Sequence, residues 1–344
     1  MNYLHTVLPP SELLRLGTSA MSDVLNRLRT FGAESVKPNS AFDISGETGF
    51  FPAYSLQRLP PAFDFWERAL SAAPESLSLG DDVSEEGVAK RESSELWRQR
   101  IREVSQYSNY LNTILTRLSV DDQGPLIPTH SIVNDRRLLQ RAHHVLAYLT
   151  HYYVHSIPPS GTETSVVVPR TLAVPFATVS KILGIAPVLT FADTVLWNAY
   201  PANPMLPMTL DNMRFEHLFS GTEDEEEFYR ANAGVELRGV ELLNIIEEYH
   251  SLPNVTDEAS VCKISKDLQR VASLVEELAD VLQSVRAGCD PHVFYWSVRP
   301  WFNGRMQPVR CLRDGYLKES MRPSWTSAGH LVDKVHSCIR WMYG

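Results

Sequence analysis

One stretch of the chain repeats its apolar residues at alternating steps of three and four: Val261, Ile264, Leu268, Val271, Val275, Leu278, Leu282 and Val285. That spacing follows the turn of an α-helix and places all eight side chains on one face. Thr256 supplies an N-cap and Gly288 a C-terminal stop. Burying the stripe is worth about 12–24 kcal/mol gross, while fixing the backbone costs about 1–2 kcal/mol per residue. Such a helix persists only inside a larger bundle, or, as the lesser alternative, in a dimeric coiled coil.

Similar spacing at Ile101, Val104, Leu111, Leu115 and Leu118 predicts a helix from about Glu95 to Leu118. Another is expected from Asp135 to His155, and a fourth after the acidic cluster Glu223–Glu227, carrying Phe228, Val235, Leu242 and Ile246. Shorter helices are expected to begin near Pro175 and at Ala186-Pro187, separated by Gly184. Only Ser165–Val168 has the pattern of a strand, so the fold class is all-α. Ser76–Ser94 reads as a solvated loop. The Pro-rich break Tyr200–Asp211, followed by Ser220-Gly221, divides the chain into a small N-terminal helical domain, 1–219, and a C-terminal domain, 220–344.

A chain of 344 residues with 44% hydrophobic content is long enough for two cores. Its formal net charge of −9, with no Lys/Arg cluster to offset it, argues against a nucleic-acid partner. The apolar stretch Ser165–Val179 is broken by Pro169, Arg170 and Pro175, so no membrane span is expected and the reading is a cytoplasmic protein. Four dispersed cysteines, without a CxxC, fit reduced thiols rather than a disulfide framework.

Within Cys289–Gly304, Arg299 lies among Phe294, Tyr295, Trp296, Trp301 and Phe302. A permanent cation sits among aromatics only when a carboxylate, phosphate or ring face compensates it. Arg299 is therefore a candidate for gripping an anionic, ring-bearing ligand; taken from the residues alone, an arginine stacked on Trp296 or Trp301 at the rim of a core, or paired with a distant carboxylate, is the commoner explanation, because structural ion pairs are common. His144, His151 and His155 share one helical face, and His151-x-x-x-His155 has two-histidine clamp spacing. No acidic third ligand lies nearby, so filler on a half-buried helix is favoured over a metal-dependent hydrolase. His330 and His336 do not share a face.

The Cys289–Gly304 segment resembles the "CDP-x-x-FY-x-x-x-RP" block of the indoleamine 2,3-dioxygenases, heme enzymes that open the indole ring of tryptophan. Collinear blocks extend the resemblance over about residues 45–304: Gly49-Phe50-Phe51-Pro52, Leu59-Pro60-Pro61 and Phe65-Trp66-Glu67, then Arg141-Ala142-His143 and Leu172-Ala173-Val174-Pro175. Pro187 to Asn198, Glu226-Glu227-Phe228-Tyr229 and Val235-Glu236 follow.

The resemblance implies an all-α protein binding heme b, an indole substrate and dioxygen, acting as a monomer and yielding an N-formylkynurenine-type product. It implies that Phe191 and Thr194 line the distal pocket, Phe228 packs on the indole, Phe294 and Tyr295 form its wall, and Arg299 holds the carboxylate. Asn232 stands where the family often carries a small polar residue. Of the family's glycine-rich loop over the heme, Ser327, Ala328 and Gly329 remain. The helix bearing the proximal histidine has no counterpart before Gly344, so no catalytic side chain and no protein ligand to the metal is assigned, and a histidine-ligated heme complex is not expected of the chain as written. A catalytically inactive paralogue retaining an indole or amino-acid pocket is the alternative reading.

Overall fold

The computed structural model describes residues 44–52, 55–115, 132–159, 166–302 and 310–311, with backbone alone for 104–115 and 310–311. All lie in one compact unit, Ile44–Gly344.

A 3-10 turn, Pro61–Phe63, leads into α1 (Asp64–Ser76), which buries Trp66, Leu70 and Ala73 at helical spacing. The expected loop 76–94 is instead partly helical: α2 (Glu85–Ala89) precedes α3 (Arg91–Leu115). Ser84 caps α2 by accepting the Gly87 amide at 3.0 Å, and the Ser93 hydroxyl donates to the Ser76 carbonyl at 2.7 Å. A Ser followed by two Glu residues looks solvated by composition, yet it is also the composition of a helix start. Gly80 is required here, because a Cβ would lie 2.0 Å from the Ile157 carbonyl oxygen.

At the centre runs α4 (Arg136–His155), nearly all of it buried from Leu139 onward. Asp135 caps it, its carboxylate accepting the Arg137 and Leu138 amides at 2.9 and 3.3 Å. It packs between α1 and α5 (Arg170–Leu183). The start expected near Pro175 is corrected to Arg170, with Pro175 inside the helix and Pro169 before it. Gly184 ends α5 in the left-handed region, φ 73°, where a side chain would be strained. No α-helix begins at Ala186-Pro187; the next helical segment, Ala192–Leu196, is a π-helix.

Val167–Val168 (β1) is the strand anticipated, pairing in parallel with Arg310–Cys311 (β4). Ala199–Pro201 (β2) and Met213–Phe215 (β3) form an unforeseen antiparallel pair in register Ala199↔Phe215. Three residues are too few for an alternating pattern to show.

Next come α6 (Glu223–His250), capped by Thr222, and α7 (Glu258–Gln283), which pack together. Arg270 bridges them, bonding both Glu241 oxygens at 2.5 and 2.8 Å. The apolar stripe read from the sequence coincides only in part with the packed face: Ile264, Val271, Leu278 and Leu282 are half-buried and Val285 buried, but Val261, Leu268 and Val275 are 51%, 63% and 56% exposed, and Leu274, off the stripe, is fully buried. The cap is Asp257 rather than Thr256, accepting the Ser260 amide at 2.9 Å. The helix ends at Gln283, and Gly288 closes a separate turn, α8 (Val285–Gly288).

Pro291–Val293 (α9), a π-helical stretch Phe294–Val298 and Arg299–Phe302 (α10) then follow without a break. Three core clusters result: one around Trp66, Tyr148, Tyr152, Phe219 and Trp301, one around Phe51, Val195, Met213 and Tyr229, and one around Val285, Phe294 and Val298. Phe302 packs against all three. No helix among the described residues is long and apolar enough to cross a membrane.

Candidate active site

Two of the three described segments expected to carry ligand contacts contain π-helical turns, Ala192–Leu196 and Phe294–Val298; the third, with Phe228 and Asn232, is regular α-helix. The bond from the Trp197 amide to the Ala192 carbonyl, five residues back at 2.7 Å, shows the widened turn. Such turns are uncommon and concentrate at functional sites, since they re-aim side chains that a regular helix would bury together.

Around the first segment, Phe191 packs half-buried against the cluster of Val195, Ala199 and Tyr229. Thr194 is buried, its hydroxyl directed at its own helix through the Thr190 and Phe191 carbonyls at 3.4 and 3.3 Å. Phe228, in the first turns of α6, reaches both the second and third clusters, its ring 4.9 Å from that of Phe294. These two are the sequence-named aromatics that meet from different helices. Asn232 donates its amide back to the Phe228 carbonyl at 2.7 Å, so that N–H is engaged within α6.

Phe294 and Tyr295 face opposite ways. The first is 4% exposed in the core, the second 50% exposed with the Arg299 guanidinium 4.9 Å from its ring centroid. The ring stacked on Arg299 is therefore Tyr295, not Trp296 or Trp301; Trp301 stacks on Phe219 inside the first cluster. Ser327, Ala328 and Gly329, with His330 and His336, lie outside the described residues.

Behind this wall lies an ionic group that sequence reasoning did not single out. Arg141 of α4 is 3% exposed and bonds Glu67 of α1 through Nε at 3.0 Å and Nη2 at 2.7 Å. It also grips Glu216, through Nη2 at 2.9 Å and through a short Nη1 contact. Glu67 further accepts the Leu59 amide at 2.8 Å. Burial pushes the Glu216 carboxyl up, but His217 and the guanidinium outweigh it and hold the group below its usual value. Glu67 and Arg141 each stood in a recognised block, but nothing in either block says that they pair across 74 residues.

Next on α4, His143 bonds the Asp193 carboxylate through Nδ1 at 2.7 Å, both groups fully buried. The other Asp193 oxygen accepts from the Thr190 amide and hydroxyl at 2.8 and 2.7 Å. This pins the first π segment to α4. His151 and His155 lie ring to ring at 5.0 Å, beside Phe219 and Trp301 respectively. Burial, with His155 adding to it, brings His151 down to about 3, and among the described residues the pair belongs to no group of three ligating side chains.

For a flat macrocycle such as heme, Phe191, Phe228 and Phe294 offer an apolar aromatic wall, the lining that cofactor pockets need. Among the described residues no histidine ring packs against that wall; those of α4 are directed into the first core cluster. The described residues thus fit the substrate-facing side of such a pocket, and they do not supply an axial ligand.

Comparison with known proteins agrees with this geometry. The chain is 28% identical over 208 residues to indoleamine 2,3-dioxygenase of Saccharomyces cerevisiae, a match covering 58% of this chain and 43% of the relative. It is 31% identical over 191 residues to indoleamine 2,3-dioxygenase acdA of Aspergillus candidus, covering 53% and 44%. It is 28% identical over 180 residues to indoleamine 2,3-dioxygenase 1 of Mus musculus, covering 52% and 43%. The matched stretch spans somewhat under half the length of each of these relatives. Residues 38–329, most of the chain, match the family pattern described as indoleamine 2,3-dioxygenase, and the chain belongs to that family.

Proposed function

We propose that this protein is a heme-dependent dioxygenase that opens the 2,3-bond of the indole in tryptophan or a related indole, giving an N-formylkynurenine-type product. The reading rests on family membership joined to one observation: Phe228 and Phe294 meet at 4.9 Å, and five residues beyond Phe294 the Arg299 guanidinium lies 4.9 Å from the Tyr295 ring centroid. An indole with a charged side chain asks for that combination, an apolar face for the ring and a fork of donors for the carboxylate.

Heme would supply the iron that activates dioxygen. The chain's own residues bind and orient the substrate. Phe228 and Phe294 exclude water and pack on the indole, Phe191 closes the pocket from the first π segment, and Arg299 fixes the amino-acid end so that C2 and C3 are presented in one pose. Both atoms of dioxygen enter the product, one at each carbon, as the bond between them breaks. No outside reductant is consumed in that balance. The protein acts in this reading as a cytoplasmic monomer.

Hemin-loaded protein given isotopically labelled dioxygen and L-tryptophan or N-substituted indoles should yield a ring-opened product carrying both labelled atoms; absence of label from every such product overturns the reading. Arg299 gives the residue-level test. Losing a buried charge partner costs about 2–5 kcal/mol, roughly thirty-fold to several-thousand-fold in affinity. Arg299→Ala should therefore erase the preference for tryptophan over tryptamine, and Arg299→Lys should restore only part of it. An unchanged affinity ratio with a lowered melting temperature would make Arg299 a structural residue.

A further inference from the structure

His144 lies on α4 with its ring fully buried. Its Nδ1 is 2.7 Å from the backbone carbonyl of Asp193, which can only accept, so Nδ1 carries the proton and Nε2 presents a lone pair. That Nε2 is buried and meets no donor. His217, two residues beyond β3, also holds its Nε2 buried without a hydrogen-bond partner, 3.5 Å from Glu216 Oε1. The two imidazoles stack at 5.3 Å, and one ligand atom from each of His144, Glu216 and His217 falls within 4.8 Å of the others.

From this geometry we infer that His144, Glu216 and His217 form a binding site for a divalent transition-metal ion, zinc by preference. The donor set, two neutral imidazole nitrogens and one carboxylate oxygen, suits zinc and leaves a fourth position for water, whereas magnesium and calcium prefer oxygen throughout. A ligating histidine ordinarily donates its other ring N–H to a carbonyl or carboxylate, as His144 does to Asp193.

The backbone of the second ligand strand is already fixed. Asn198 accepts the His217 amide at 2.9 Å and donates to the His217 carbonyl at 2.8 Å, and the Glu216 amide donates to the Asn198 carbonyl at 3.0 Å. Arg141 does not forbid the cation. Its charge is more than balanced by Glu67 and Glu216, leaving the trio net negative, and each Glu216 oxygen keeps a second lone pair. Two ligands of one tetrahedral zinc stand about 3.3 Å apart, so from a spacing within 4.8 Å a ring must close in by up to about 1.5 Å. His217, with 13% of its side chain exposed, is the one free to do so. Bound there, the ion clips α4 to the segment joining β3 and α6. The site is separate from the aromatic wall and does not depend on the dioxygenase reading.

Metal-stripped protein titrated with cobalt(II) should develop the intense visible bands of a tetrahedral ion, saturating at one equivalent and bleached by zinc. Zinc should also raise the melting temperature. His217→Ala should weaken zinc binding by more than the roughly 10–100-fold typical of losing only an outer-shell partner, while His250→Ala, an exposed histidine, leaves it unchanged. X-ray absorption of zinc-loaded wild-type protein, which needs no variant to fold, should show imidazole and oxygen scatterers. A sulfur shell, an octahedral cobalt spectrum, or tight binding that survives His217→Ala would each overturn the inference.

Discussion

Replacing Arg141 by methionine keeps much of the side chain's length and removes its charge, leaving Glu67 inside the protein at 4% exposure with only the Leu59 amide and no cation. Removing one member of a buried ion pair typically costs about 3–5 kcal/mol, because the remaining charge stays desolvated. At about 2–4 °C per kcal/mol for a chain of this order, Arg141→Met should lower the melting temperature by roughly 6–20 °C at neutral pH. The sign of the pH dependence follows from Glu216, whose carboxyl is held below its usual value. A depressed carboxylate stabilises fully above its unfolded-state pKa, and that stabilisation is lost as pH falls through the folded-state value. The gap between wild type and Arg141→Met should therefore be widest at neutral pH and narrow in acid. Paired urea melts at several pH values measure it. A loss at neutral pH below about 1 kcal/mol, the scale of solvent-exposed pairs, would refute the claim that this network is desolvated.

Leu268→Gln, on the exposed side of α7, should change stability by no more than about 0.5 kcal/mol, whereas Leu274→Ala should cost about 2–5 kcal/mol; chemical denaturation of the two decides whether the sequence stripe or the packed face carries the helix. His151, brought down to about 3 by burial, stays neutral in the folded protein while its unfolded counterpart takes up a proton below about 6.5. Stability should thus fall on acidification between those values, with up to about 1.4 kcal/mol per pH unit from this group, and His151→Phe should flatten the slope. Asn198→Ala would orphan the His217 amide and leave the His217 carbonyl to the Tyr148 hydroxyl alone, at about 1–3 kcal/mol for a group left buried and unpaired; a melting curve matching wild type would show that water replaces the amide.

Helices were legible where capping and apolar spacing agreed. Asp135 before α4 and the acidic run opening α6 are local signals, and both helices begin where those signals stand. The face that each helix buries was less legible. Along α7, steps of three and four drew a line through Val261, Leu268 and Val275, but α6 lies to one side of that line and buries Leu274 instead. Periodicity defines a stripe wider than any one neighbour can cover, so it cannot choose the strip that a partner helix will occupy. The candidate site divides in the same way. Phe228 and Phe294 each stood in a recognised block that named them for the indole rather than for each other, whereas the cluster of Arg141, Glu67 and Glu216 depends on pairings across 74 and 75 residues.

The last site segment keeps the helical burial period although its turn is π-wound. In an α-helix, residues three or four apart share a face. Phe294 and Val298, four apart, bury into the third cluster across the widened turn, Trp301 and Phe302 continue the spacing into the first cluster, and Tyr295 and Trp296 stay exposed. Arg299 follows Val298, its guanidinium over Tyr295. In Ala192–Leu196 the same widening accompanies Asp193, turned to His143, and Thr194, turned to its own backbone, while Val195 enters the second cluster. Both segments place a charged or polar group directly beside aromatic surface, which is the juxtaposition that a ring-bearing anionic ligand requires.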